Sequence, residues 1–234
     1  MMNLKMIAAA AMGAGAMLAA TAACAAPDFS GVWMVQRFYA TGNDKIRTLD
    51  GLPLPMTPAA KAEYDYLQKR EADGLTVIHN TMLGWPKGFI QASRGNFDFK
   101  VVQEPKLLAF FFDEDHQYTF VHIDAKHPAN VKPSFLGDSV AHWEGDTLVV
   151  DTIGYNGETP LNNIQMSAKA HTVMRLRLIN DGKSLENIIS FDDPGAFTRP
   201  WQMKIIYDRR PPKERIPESV YAENDHDLAS LDEQ

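Results

Sequence analysis

The 234 residues carry 23 Lys and Arg against 30 Asp and Glu, a formal charge of −7, and no basic run interrupts that acidic balance, which argues against nucleic acid or anionic lipid as a partner. A single cysteine, Cys24, leaves no disulfide framework, so the fold must come from packing. A chain of this length can bury a sizeable core in one domain.

Residues 1–25 read as an export signal: Lys5 precedes an unbroken apolar and small stretch from Met6, and Ala23-Cys24-Ala25 offers a small-x-small cleavage site before Ala26. The alternatives are an uncleaved anchor, which the Ala-rich run with Gly13 and Gly15 disfavours, and lipid attachment at Cys24, which would usually have Leu where Thr21 stands. Cleavage leaves 209 of the 234 residues, no cysteine and, with Lys5 gone, a charge of −8 instead of −7. The expected destination is the periplasm.

After the signal, "DFSGVWMVQ" reads as a first strand. Thr57 as N-cap, Pro58 at the first helical position and Gly74 as a stop predict a helix over 57–72, with Ala60, Tyr64 and Leu67 as a narrow apolar stripe. From Gly88 onward, "FIQAS", "NFDFKVVQE", "KLLAFFF", "YTFVHID", "SVAHWE", "TLVVDTIG", "HTVMRLRLI", "SLENIISF" and "QMKIIYD" are strand-like runs separated by turn signals. About ten strands with short connections predict a mostly β, antiparallel meander that closes into a barrel over 26–212, followed by an acidic tail over 213–234. Aromatics alternate at Phe97/Phe99, Phe110/Phe112 and Tyr118/Phe120, which suits either a packed core or a ligand cavity.

The stretch "HWEGDTLVVDT" fixes a register. With Gly145-Asp146 as a two-residue loop, Glu144 faces Thr147, Trp143 faces Leu148, His142 faces Val149 and Val140 faces Asp151. Trp143, Ala141, Leu148 and Val150 then share one side of the hairpin, and His142, Glu144, Val149 and Asp151 the other. His142 and Asp151 become diagonal neighbours roughly 7 Å apart, within side-chain reach.

"FSGVW", "PLPMTPAAKAEY", "PSFLGDSVAHWEGDTLVVDTIGYN", "DDPGAFTRPW" and "YAENDHDL" together resemble an exported bacterial family of lipocalin-like proteins. The resemblance covers nearly the whole mature chain, and its W-E-G-D-T-L-V-V-D-T core is the specific part. It implies a barrel and, through relatives that are cofactor-independent lyases such as decarboxylases of lignin-derived phenylcoumaran acids, an aromatic substrate. The chain departs from the family where His142 stands in place of Arg and where "QMSAKAHT" keeps only His171. A shared fold therefore need not mean a shared reaction.

The seven histidines never fall in H-x-H or H-x-x-x-H spacing, and no nucleophile elbow, phosphate loop or dinucleotide fingerprint is visible, so neither a metal nor an organic cofactor is expected. What remains is acid–base work by side chains. His142 with Asp151 can serve as base and orienter, His171 opens a strand and could sit at a barrel mouth, and Tyr155 or Tyr118 can hydrogen-bond a phenol or oxyanion. Tyr118, Phe120, His122, Trp143 and Arg175 are the candidate substrate contacts. Each has a structural alternative: a satisfied His–Asp pair, a core histidine at 122, an arginine turned to solvent. The expected function is a cofactor-free lyase or isomerase holding an apolar aromatic small molecule inside the barrel. A carrier of the same ligand and a filled structural barrel are the rival readings, and a homodimer is left open.

Overall fold

A computed structural model describes residues 26–36, 46–78, 80–95, 97–113, 117–212 and 215. The signal segment 1–25 and all of the tail but Arg215 fall outside the described residues.

Nine strands close a barrel: β1 (Gly31–Val35), β2 (Phe99–Glu104), β3 (Leu107–Phe112), β4 (Tyr118–Ile123), β5 (Asp138–Glu144), β6 (Thr147–Ile153), β9 (His171–Ile179), β10 (Ser184–Asp192) and β11 (Trp201–Arg209), in the order β1-β11-β10-β9-β6-β5-β4-β3-β2. Closure leaves no free sheet edge, as the long run of strand signals requires. A separate hairpin, β7 (Thr159–Leu161) with β8 (Ile164–Met166), lies between β6 and β9 in sequence, so those two strands pair directly. The meander is broken once more: β4 and β5 pair in parallel, through His122 with Val140 and Ile123 with Ala141, and a crossover over 124–137 joins them. Its docking needs Gly154, at φ 76°, where a Cβ would lie 2.2 Å from Val131 Cγ1.

Helix α1 (Pro58–Ala72) forms as expected, with Thr57 Oγ1 accepting from the Ala60 amide at 3.2 Å. None of its residues is buried, and Ala60, Tyr64 and Leu67 form a half-buried stripe against the body of the protein. "FIQAS" is not a strand. Phe89–Ala92 lie in a five-residue helix, α2 (Gly88–Ala92), with Ser93 as its C-cap, that seats Phe89 edge-on against Phe110 and Phe112 at ring separations of 4.7 and 5.6 Å. A short apolar run has no period that separates a strand from a buried helical turn, and packing decides it.

Apolar side chains pack the barrel interior. Inward side chains including Trp33, Leu108, Leu148, Leu176, Ile205 and Tyr207 have no accessible surface, so no space large enough for water lies against them. Each buried side chain of this size contributes roughly 1.5–3 kcal/mol relative to exposure. Near the β9–β10 turn, the Arg209 guanidinium lies 4.3 Å from the Trp33 ring centre and donates to the carbonyls of Asp28, Ser30 and Gly182. Burial holds its pKa below the ordinary arginine value despite nearby Asp28.

Candidate acid–base site on the outer wall

The β5–β6 hairpin has the register that its sequence specifies, from Glu144 opposite Thr147 to Val140 opposite Asp151. Gly145 opens the two-residue loop at φ 64°, a conformation that suits glycine. Ala141, Leu148 and Val150 point into the barrel at 0–3 % exposure, which turns His142, Glu144 and Asp151 outward. The acid–base face of the hairpin is thus the outer wall.

On that wall His142 and Asp151 do not meet, because each has a nearer partner. His142 Nε2 lies 3.2 Å from Glu144 Oε1, and Glu144 Oε2 accepts from Arg175 Nη2 at 2.7 Å. Arg175 first, and His142 after it, hold the Glu144 carboxyl below its ordinary pKa. Arg175 therefore forms a solvent-exposed ladder and does not turn inward to clamp a substrate.

Asp151 is engaged by two other imidazoles. His171 Nε2, from the first residue of β9, lies 3.1 Å from both Asp151 oxygens. His127, carried by the crossover, places Nε2 3.1 Å from Asp151 Oδ1 and Nδ1 2.6 Å from Asp138 Oδ1. The result is a continuous chain Asp138–His127–Asp151–His171. Along it the side chains are 29 % exposed at Asp138, 20 % at His127, 38 % at Asp151 and 42 % at His171, so the chain is most covered at His127 on the crossover and ends at solvent. Burial alone would lower the His127 pKa, but the hydrogen bonds to Asp138 and Asp151 outweigh it and raise the pKa above the ordinary imidazole value. Among the described residues His171 Nδ1 has no partner. Among those same residues no group of three or more His, Cys, Asp or Glu side chains converges on a metal position.

The other expected contacts divide between wall and core. His122 is exposed on β4, and the row His122, Val140, Asp151, Val173 runs across β4, β5, β6 and β9, placing it two strands from Asp151 on the same wall. Tyr118 and Phe120 also face outward, 54 % and 45 % exposed with rings 5.2 Å apart. They are on the opposite side from Phe110 because the register pairs Phe110 with Thr119. Trp143 faces inward, half-buried, and packs against the core with its ring 5.4 Å from that of Phe29. Tyr155 is buried, its hydroxyl 2.7 Å from Thr172 Oγ1, and burial pushes its pKa up to about 12. It anchors the chain beneath the wall and cannot touch a ligand in solution.

His127 and Asp138 were not singled out by sequence reasoning. Asp138 was within reach of it, since the hairpin register extends to Asp138 opposite Ile153 and places that carboxylate on the Asp151 face. His127 lies in a connection without periodicity, and only the path of the crossover brings it there.

A concave feature lies elsewhere: an open groove of about 440 Å³ lined by Leu49, Asp50, Ser190, Arg199, Trp201 and Gln202 among others. Its rim is closed by Arg199 on Asp50 at 3.3 Å, while Trp201 is stacked on Phe191 at 4.3 Å.

Compared with protein-family models the chain matches none, and compared with curated proteins it again finds no match.

Proposed function

We propose that the protein is a cofactor-free acid–base catalyst of the lyase or isomerase type, exported to the periplasm, with its reacting group on the outer wall of the barrel. The observation that carries this reading is the grip of Asp151 on His171. Both carboxylate oxygens meet Nε2, which leaves the Nδ1 edge to solvent. A neutral His171 that donates Nε2–H to Asp151 presents a lone pair at Nδ1, and the imidazolium formed when that lone pair takes a proton faces a carboxylate. Such a pair can remove a phenolic or carbon-bound proton, or return one to a carbanion left by loss of carbon dioxide.

The ring faces of Tyr118 and Phe120 and the imidazole of His122 share this wall and suit an aromatic substrate, in keeping with the family resemblance. The rival reading is a carrier that binds an aromatic ligand on Tyr118 and Phe120 without changing it, and their exposure is what favours it. Screening aromatic acids and phenolic dimers for turnover, followed by His171→Ala and Asp151→Asn, separates the two. Catalysis predicts a loss of about a hundred- to ten-thousand-fold, at a nearly unchanged melting temperature in His171→Ala and with the barrel still folded in Asp151→Asn. Wild-type rates in both variants would return the wall to scaffold. Export is checked by intact mass: the mature chain should begin at Ala26, and a retained Met1 or a lipid on Cys24 would reject that assignment.

A further inference from the structure

The contacts of His127 specify its charge by geometry alone. Ionised carboxylates only accept hydrogen bonds, and a neutral imidazole has one N–H. His127 nevertheless presents both nitrogens to carboxylate oxygens, Nδ1 to Asp138 at 2.6 Å and Nε2 to Asp151 at 3.1 Å. With one N–H, the second contact would be lone pair against lone pair. With two, it is a second charge-assisted bond.

We propose that His127 is a positioning residue that works as an imidazolium: it clips the crossover to the outer wall and pins Asp151, so that His171 must donate Nε2–H and keep its Nδ1 lone pair free. The catalytic part of this inference rests on the acid–base reading above; the charge of His127 does not.

Charge balance supports the assignment. Asp138 and Asp151 carry two negative charges and His127 returns one positive, so a proton accepted by His171 brings the chain to neutrality. The charged groups facing His127 are Asp138 from β5 and Asp151 from β6, with His171 of β9 beyond Asp151. On its own crossover Asp124 is engaged by Lys106 at 2.6 Å and does not compete for it. The raised pKa of His127 agrees with the geometry.

The crossover is otherwise tied near its two ends, by the Asp124 amide on the Ala141 carbonyl at 2.6 Å and the Ser134 amide on the Gly154 carbonyl at 3.0 Å. His127 adds a side-chain tie between them. Loss of its second proton would set a lone pair against Asp151 and loosen both the crossover and the carboxylate that orients His171.

The test is a pH titration of the full chain with ¹⁵N-labelled histidine. His127 should keep both nitrogens protonated beyond about pH 6.5, where an ordinary imidazole loses a proton, and His171 should show protonated Nε2 and bare Nδ1 when neutral. Asp138→Asn should move the His127 transition down by about one pH unit or more. A His127 that deprotonates at or below about pH 6.5, or a transition unmoved by Asp138→Asn, overturns the assignment. Turnover supplies the second arm. His127→Gln, with a neutral amide, should lose about tenfold in rate; His127→Arg, a permanent cation with several donors, should retain most of the rate and flatten its alkaline fall. Equal rates and equal pH profiles in wild type, His127→Gln and His127→Arg would overturn the positioning role. Absence of turnover in the wild type would refute the acid–base reading and the positioning role built on it, while the titration still decides the charge of His127.

Discussion

The two sides of the β5–β6 hairpin do different work: one closes the core and the other carries the titratable groups. Inward, Ala141, Leu148 and Val150 are apolar and at most 3 % exposed. Outward, one residue away at every step, stand His142, Glu144 and Asp151, tied to Arg175, His127 and His171. Because strand side chains alternate, one short sequence supplies both a wall of the core and a row of titratable groups, and a substitution on one side should leave the other in place. The exposed side brings Asp151 and His171 to solvent, where acid–base chemistry has room.

The inward side should give the largest change in stability. Leu148→Ala empties space that has no accessible surface, and should cost about 2–5 kcal/mol in chemical denaturation, about equally at pH 6 and pH 9. A cost that varied steeply with pH would mean that the two sides are coupled.

Outward, Asp151→Asn removes the shared acceptor of two imidazoles and should cost about 1–3 kcal/mol. His127→Gln brings in the pH. The folded-state pKa of His127 lies above its unfolded value, so the stability from its clip is complete below about pH 6.5 and is lost as the pH rises through the folded pKa. The stability gap between wild type and His127→Gln should therefore be widest near pH 6 and narrow by pH 9. A gap that widened with pH would reverse the sign and with it the account of the clip.

Outside the hairpin, Thr57→Ala removes the acceptor for the Ala60 amide and should cost about 1 kcal/mol, since α1 buries no residue that would hold it otherwise. The smallest effect belongs to His142, whose side chain is 57 % exposed. His142→Ala should change stability by no more than about 0.5 kcal/mol and leave turnover intact. Loss of activity there would move the site along the wall to the Glu144 and Arg175 ladder.

What was legible in the sequence follows the range of the interactions involved. The hairpin register and the α1 cap depend on turn and capping residues a few positions apart, and both hold in the structure. The closed barrel follows from strand count and the cost of open edges. The side on which the hairpin buries Leu148 could not be read, because both sides carry enough apolar residues to serve: Val149 is itself 6 % exposed on the outer wall. The partner of Asp151 could not be read either. It arrives on a crossover 24 residues earlier, after a parallel pairing of only two residue pairs that no local signal announces. Tyr118 and Phe120 look like the aromatics of β3 in sequence and differ from them only through the register that sets Thr119 beside Phe110.

The most direct measurement of where the chemistry lies is chemical-shift mapping of the full chain with the aromatic acid or phenol that screening identifies. The outer-wall account predicts that the ligand shifts the His171 ring and the Val173 and Val140 methyls, while the inward Val150, Met174 and Leu176 methyls stay within the spread of the distant core. Shifts concentrated on Val150, Met174 and Leu176, with His171 unmoved, would place the ligand inside the barrel and contradict it.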